Sequence, residues 1–375
     1  MIDIKNPADC CACTACASIC AHNAITMKPD ALGFLYPEVD KEKCVDCGLC
    51  EKVCAFNDHY DTSLNFVKPL AYGARHKDMN EVETSRSGAA FIAISDYILE
   101  KGGVVYGAGY TGHFRVVHKR ATTKEERDEF KGSKYVQSDM TGVFRQVKKD
   151  LRDGLMVLFS GTPCQTAGLK SYIGENLKLI LVDIICDGVP SPRFFADYIK
   201  YLEHKYNHSI SDFLFRDKAK FGWASHKETV SFGEFEISSY KYTYIFYKRI
   251  LTRDSCGVCK YTNLRRPSDI TLADFWGYER SCSSLNNDNK GISLLLINTD
   301  KGKQLFNDAK EKMITQKVEI EKALQPNLIN THPLNKMAKQ CKIHYQKYGF
   351  KFILLFYGQT GLLSFFEKIK DKFKR

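Results

Sequence analysis

Several things are missing from this chain of 375 residues. No apolar run approaches the roughly 20 residues that a helix needs to cross a bilayer, so a helical membrane protein is not expected. The opening "MIDIKNPADCC" lacks the basic start and apolar core of a secretory signal, and a cytoplasmic location is expected. No Ser–His–Asp set and no paired carboxylates stand out, so no catalytic side chain is assigned. Disulfides are not expected either, because the cytoplasm keeps thiols reduced. Yet the chain has 15 cysteines, and metal or redox chemistry is the better expectation for them.

Lys and Arg number 55 against 44 Asp and Glu, a formal net charge of +11. That surplus favours acidic partners, phosphate-bearing cofactors or an anionic membrane surface without choosing among them. The length points to two or more units. Nine cysteines fall within residues 10–54 and six in the rest, which marks a small cysteine-dense module at 1–60 followed by a larger body, and the chain closes on a basic amphipathic tail at 331–375. The polar "NDHYDTSLNFVKPLA" reads as the link.

In the first unit "CCACTACASIC" sets Cys10, Cys13, Cys16 and Cys20 in the order C-x2-C-x2-C-x3-C. "CVDCGLCEKVC" repeats the order with Cys44, Cys47, Cys50 and Cys54. Three cysteines at this spacing wrap one cubane, and the fourth serves the neighbouring one. The expected sets are therefore Cys10, Cys13, Cys16 and Cys54 for one [4Fe–4S] cluster, and Cys44, Cys47, Cys50 and Cys20 for the other. The proline that usually follows the fourth cysteine is Ala21 in one copy and Ala55 in the other, which touches the turn and not the ligands. Cys11 reads as a non-ligand filler. Two neighbouring clusters pass single electrons, so the module reads as a ferredoxin-like input or output.

The body alternates strand-like and helical patterns, an α/β arrangement. "SRSGAAFIAISDYILEKGG" reads as a helix with a serine start and a glycine stop, followed by the strands "VVYGAGY" and "FRVVH". Thr123 and Glu126 form a capping-box start. "LMVLF" and "LKLILVDII" read as buried strands, each leading through a loop to a helix, with Ser191 and Pro192 at N-cap and N1 of the second. "ISLLLINT" and "DKGKQLFNDAKEKM" repeat the order. The carboxyl-terminal "FKFILLFYGQTGLLSFFEKIKDKFKR" is read as a helix covering the core with a solvated charged end, in preference to a membrane-surface helix.

Cys256 and Cys259, in "RDSCGVCKYTNLRRPSDITLADFWG", form half a metal site. Cys164 and Cys186 end adjacent predicted strands, and parallel strands deliver their carboxyl ends to one sheet edge. The four together are read as a third [4Fe–4S] site. Cys282 and Cys341 lie at no strand end, and Cys282 is the alternative fourth ligand.

In order, "SRSGAAFIAISDYILEKG", "GSKYVQS", "SGTPCQTAGLK", "CDGVPSP", "FRDKAKFGW", "SCGVC", "RRPSDITLADFWG" and "KGISLLLINTDKG" resemble the family of coenzyme F420 hydrogenase/dehydrogenase beta subunits over about residues 70–330. The resemblance implies a body that binds FAD beside a [4Fe–4S] cluster and exchanges hydride with an organic carrier or substrate. It also implies ferredoxin or another redox protein as partner. Some members reduce F420, others tetrapyrroles, and some occur beside polysaccharide-synthesis enzymes. It carries FAD contacts onto Ser85, Ser87 and Gly88 at a predicted helix start, Lys134 and Ser138, and Gly161, Thr162 and Gln165 after a strand. Without it, Ser85 and Ser87 would read as an ordinary cap.

Arg216, Lys218, Arg265 and Arg266 near Trp223, Asp274 and Trp276 are read as loop packing with a paired Asp and Arg, ahead of an anion-binding stacking surface. "SSYKYTYIFYKRIL" is read as a strand leading to Cys256, so no nucleic-acid partner is expected. Together these readings give an iron–sulfur flavoprotein oxidoreductase, or alternatively an electron-transfer subunit serving a partner enzyme.

Overall fold

A computed structural model describes residues 1–57, 59–285 and 288–364. The amino-terminal module is an antiparallel hairpin of β1 (Ile25–Pro29) and β2 (Leu35–Val39), flanked by short helices Ala15–Ile19 and Leu49–Lys52. Its two cysteine repeats share one backbone course. Ala12 and Asp46, each just before a second cysteine, have positive φ, and so do Thr14 and Gly48, each two residues before a third. Left-handed residues at these points curl the loop around a centre, at a cost that glycine avoids and threonine bears.

The body is built on one large sheet. In chain order its strands are β3 (Asn65–His76), β4 (Val104–Thr111), β5 (Arg115–Ala121), β6 (Val157–Gly161) and β7 (Leu179–Ile184). A separate small sheet follows, of β8 (Asp212–Leu214), β9 (Glu228–Ser231) and β10 (Glu236–Ser239), before β11 (Ile270–Asp274), β12 (Ser293–Thr299) and β13 (Met313–Val318) complete the large one. The large sheet runs β13-β3-β12-β11-β7-β6-β4-β5, parallel from β11 to β4 and antiparallel elsewhere. Strands buried on both faces are continuous apolar runs, as "SLLLINT" in β12 is.

Helices Ala90–Glu100 and Asp300–Ala309 cover one face through Ile94, Ile98, Leu305 and Phe306. Helices Val143–Arg152 and Pro163–Ile173 cover the other. There Phe144, Val147 and Leu169 share a core with Phe159, Leu181 and the module's own Cys11, Cys13, Ala15 and Val53. The two units thus share apolar packing. Helix Ala338–Tyr357, broken at Gly349 (φ +75°), lays Tyr345, Phe350 and Ile353 against Phe194 and Tyr198 of helix Pro192–Tyr206. Residues 365–375 of the expected tail lie outside the described residues. No described helix is long and apolar enough to cross a membrane.

Three local expectations need correction. The "SRSG" serines do not cap the following helix, whose N-cap is Ala89 in the left-handed region; Ser85 instead ends the preceding helix Met79–Thr84. The supposed link is strand from Asn65 onward. "SSYKYTYIFYKRIL" contains helix Lys241–Tyr247, not a continuous strand. The cause is Glu228, fully buried on β9, whose carboxylate accepts from the N–H groups of Tyr242 and Thr243 at 3.1 and 2.9 Å and so caps the helix.

Candidate iron–sulfur site

The four thiols Cys10, Cys13, Cys16 and Cys54 gather in the module. Burial pushes Cys10, Cys16 and Cys54 up, and the nearby thiols of the same set push further. Cys20, Cys44, Cys47 and Cys50 line a second hollow with Ile25, Val39 and Leu49. The eight thus lie in two neighbourhoods, and among the described residues no three of them stand close enough to hold a metal ion. Backbone N–H groups point at their sulfurs: Ala12 to Cys10 at 3.4 Å, Ala24 to Cys20 at 3.3 Å and Ile2 to Cys50 at 3.3 Å. Such bonds stabilise thiolate and tune a bound cluster. Arg145 locks the module down, donating to the carbonyls of Ala17, Ser18 and Cys20 at 3.0 to 3.1 Å.

In the body, β6 ends at Gly161 opposite Asp183 of β7. Thr162 caps the next helix, with Gln165 returning the bond and Pro163 in the first turn, which places Cys164 at the helix mouth. Cys186 follows β7, its sulfur accepting from Gly188 N–H at 3.3 Å. Gly188 has φ +106°, and a Cβ there would meet Thr252 at 2.9 Å and Cys256 at 3.3 Å, so only glycine lets the two loops close. Burial raises Cys186 well above its ordinary value, with Cys256, Cys164 and Cys259 adding to it. Burial likewise pushes Cys256 up to about 12 and Cys259 to about 11. Cys186, Cys256 and Cys259 so placed resist ionisation unless a cation shares the site, which is what an iron–sulfur core would provide.

Cys282 stands elsewhere, buried with Phe275, Ile292 and Leu294, and Cys341 is a buried residue of helix Ala338–Tyr357 itself. Spacing alone missed the role of Cys11. It packs beside Cys13 and Cys164, and its thiol holds Cys13 below the usual thiol range and brings Cys164 to about 7. A non-ligand thiol therefore joins a first-group cysteine to one from the body.

The residues carried over for FAD fall into separate places. Ser138, Thr162 and Gln165 belong to one network: Gln165 Nε2 donates to Ser138 Oγ at 3.0 Å, and Gln165 Oε1 accepts from Thr162 N–H at 2.9 Å. Gly161 packs on Gln165. Lys134 donates to the carbonyls of Glu129 and Lys131 at 2.7 and 2.8 Å. Ser87 Oγ donates to the Ile292 carbonyl at 2.6 Å, and Gly88 lies against the backbone of Ala74 and Ser293. The pairing Ala74 with Ser293, and Ser293 with Asp274, puts these residues on the same sheet edge as Gly161 and Cys186. There Ser85 Oγ and Arg86 Nε are buried without a hydrogen-bond partner among the described residues.

Trp223 Nε1 donates to Asp274 Oδ1 at 3.0 Å, and Arg216 pairs with Asp274 at 2.6 Å. Trp276 stacks on Trp223 with centroids 4.5 Å apart. Lys218 donates to the carbonyls of Val82, Ser87 and Lys290. Arg266 is buried against Asp183 at 3.0 Å, and Arg265 lies over Tyr60, so these two do not join the tryptophans.

The site is a twin-repeat cysteine module of iron–sulfur type docked on a mixed α/β body. Residues 9–57 match the 4Fe–4S dicluster domain, and residues 155–323 match the family described as the carboxyl-terminal region of coenzyme F420 hydrogenase/dehydrogenase beta subunits. Over 190 residues the chain is 24% identical to one of the subunits of the F(420)H(2) dehydrogenase of Methanosarcina mazei, covering 47% of this chain and 53% of that protein. It thus spans about half the length of the curated relative it matches. A chain of the F420-reducing [NiFe] hydrogenase complex from Methanosarcina barkeri superimposes on 76% of this chain and 90% of its own, at 18% identity and a TM-score of 0.46, a loose likeness.

Proposed function

We propose that this protein relays electrons between a ferredoxin-type donor or acceptor and an organic substrate or carrier, through three [4Fe–4S] clusters and FAD. The close approach of the Cys186 loop to Cys256 at Gly188, with Cys164 and Cys259 near enough to act on Cys186, carries the reading. When bound, the clusters supply one-electron transfer and FAD supplies exchange with two-electron chemistry.

The chain's own residues hold and shield. Thr162 Oγ1 lies 3.2 Å from Cys164 Sγ and fixes that ligand's direction. Ser85 and Arg86 offer a hydroxyl and a guanidinium with open valences at the sheet edge, the donors that a flavin carbonyl or a phosphate takes. Ser138, Thr162 and Gln165 satisfy one another and keep the loop between them rigid.

A second reading, in which the chain serves a partner enzyme, is favoured by the relative's description as part of a dehydrogenase of several subunits. Anaerobic purification with iron, sulfide and flavin assays tests the first. About twelve irons, about four per cubane, with one FAD support it; about eight irons without flavin overturn it. Turnover of an organic substrate by the lone chain separates the first reading from the second.

A further inference from the structure

A buried cation needs a counter-charge, and among the described residues no carboxylate pairs with Arg253. It is among the largest side chains without exposed surface. Its guanidinium donates to neutral oxygens: Nε to the Cys10 carbonyl at 2.8 Å, Nη1 to Gln137 Oε1 at 3.0 Å and Nη2 to the Leu35 carbonyl at 2.9 Å. Its plane stacks over Tyr36 at 4.2 Å and faces Phe34 at 5.5 Å. The adjacent Asp254 is taken by Lys342 at 2.6 Å, and Asp30 is occupied by the N–H groups of Leu32 and Phe34.

Cysteines of both sets adjoin it through backbone contacts. The side chain reaches from the body to Cys10 in the module, while its own carbonyl accepts the N–H of Cys256 at 3.1 Å and its own N–H donates to the Val189 carbonyl at 3.0 Å. Gln137 completes the plug, Nε2 donating to the Cys11 carbonyl at 3.0 Å. The ligand hollow of Cys20, Cys44, Cys47 and Cys50 does not include Arg253.

We propose that Arg253 is the shared counter-charge of two clusters, the module's Cys10, Cys13, Cys16 and Cys54 set and the body's Cys164, Cys186, Cys256 and Cys259 set, raising the reduction potential of both and fastening the module to the body. It rests on the reading of the body's four cysteines as a third cluster. A cubane held by four thiolates is an anion, and each one-electron reduction adds one negative charge to it. A fixed positive charge in a dry interior therefore stabilises the reduced form more than the oxidised form. Arg253 acts through the ligands without touching iron, and is a positioning and tuning residue.

The test is a redox titration of the loaded protein followed by electron paramagnetic resonance, for wild type, Arg253→Gln, Arg253→Lys and Gln137→Glu. In Arg253→Gln the reduced-to-oxidised ratio at fixed potential should fall at least about tenfold for both flanking clusters, about 59 mV for a one-electron couple. The Cys20, Cys44, Cys47 and Cys50 cluster should not move, and Arg253→Lys should restore most of the shift. Gln137→Glu keeps the arginine but sets a carboxylate against it, so both potentials should fall again; this variant decides the matter where Arg253→Gln does not retain its iron. Full iron content with unmoved potentials overturns the inference alone. A wild type with about eight irons overturns the third cluster and this inference together.

Discussion

A Cβ built on Gly168 would stand 2.7 Å from the Sγ of Cys13. Gly168 lies four residues after Cys164 in helix Pro163–Ile173, about 6 Å along its axis. One helix thus holds a body cysteine in its first turn and receives a module cysteine on bare backbone one turn later.

Gly168→Ala should press on that contact. The added methyl improves helix propensity by about 1 kcal/mol, but overpacking against a ligand fixed by its neighbours costs about 1 to 3 kcal/mol. The expected net effect is a lower thermal midpoint with partial loss of iron. A variant with full iron and a raised midpoint would refute the close seat.

Single cysteine changes should sort by group. Cys164→Ala is expected to lose about four irons of about twelve, one cubane. Cys11→Ala should keep all of them, because that thiol packs beside ligands without being one. Cys282→Ala should also keep them and lose only stability, since its sulfur packs where a Cβ on Gly73 would come within 2.7 Å. Iron assays on the three variants decide, and iron loss in Cys282→Ala would return that residue to the ligand set.

Much of this arrangement is legible in the sequence, and the gaps have physical causes. Cysteine spacing records which loop wraps which centre, and the crossed sets in the module are read from that spacing. Buried parallel strands announce themselves as apolar runs, and Ser191, which accepts the Phe194 N–H at 3.0 Å, caps as its position before Pro192 implies. Helix Lys241–Tyr247 escapes notice because its aromatic composition suits a strand, and the carboxylate that caps it comes from β9, more than ten residues earlier. Arg253 and Cys11 escape for a related reason. Each matters only because two distant segments meet there, and no periodicity records that meeting.

The cap supplied by Glu228 can be tested by itself. Its carboxylate also accepts from Tyr198 at 2.8 Å, Ser239 at 2.6 Å and the Thr243 hydroxyl at 2.7 Å. Glu228→Ala strands five donors in the interior and should cost about 3 to 5 kcal/mol, while Glu228→Gln should cost less because it keeps one acceptor oxygen. Circular dichroism during urea unfolding measures both. Equal stability of Glu228→Ala and wild type would show that the helix does not depend on this cap.

His118 supplies a pH prediction with a definite sign. The ring is buried, stacks on Phe159 at 5.2 Å, and sits between Ser138 Oγ at 2.8 Å and the Ser160 carbonyl at 3.0 Å. A neutral ring with Nε2–H donating to the carbonyl and Nδ1 accepting from Ser138 satisfies every partner, since Ser138 in turn accepts from Gln165. Burial lowers its pKa from 6.5 to about 4. Between those values the unfolded chain takes up a proton that the folded one refuses, so stability falls as pH drops from about 6.5 to about 4, by at most about 3 kcal/mol. Other groups titrate in the same range, and the difference between wild type and His118→Gln isolates this one. Urea midpoints measured across the window should show a shallower loss in His118→Gln, whatever its stability at neutral pH; parallel curves would mean that the imidazole is protonated alike in both states.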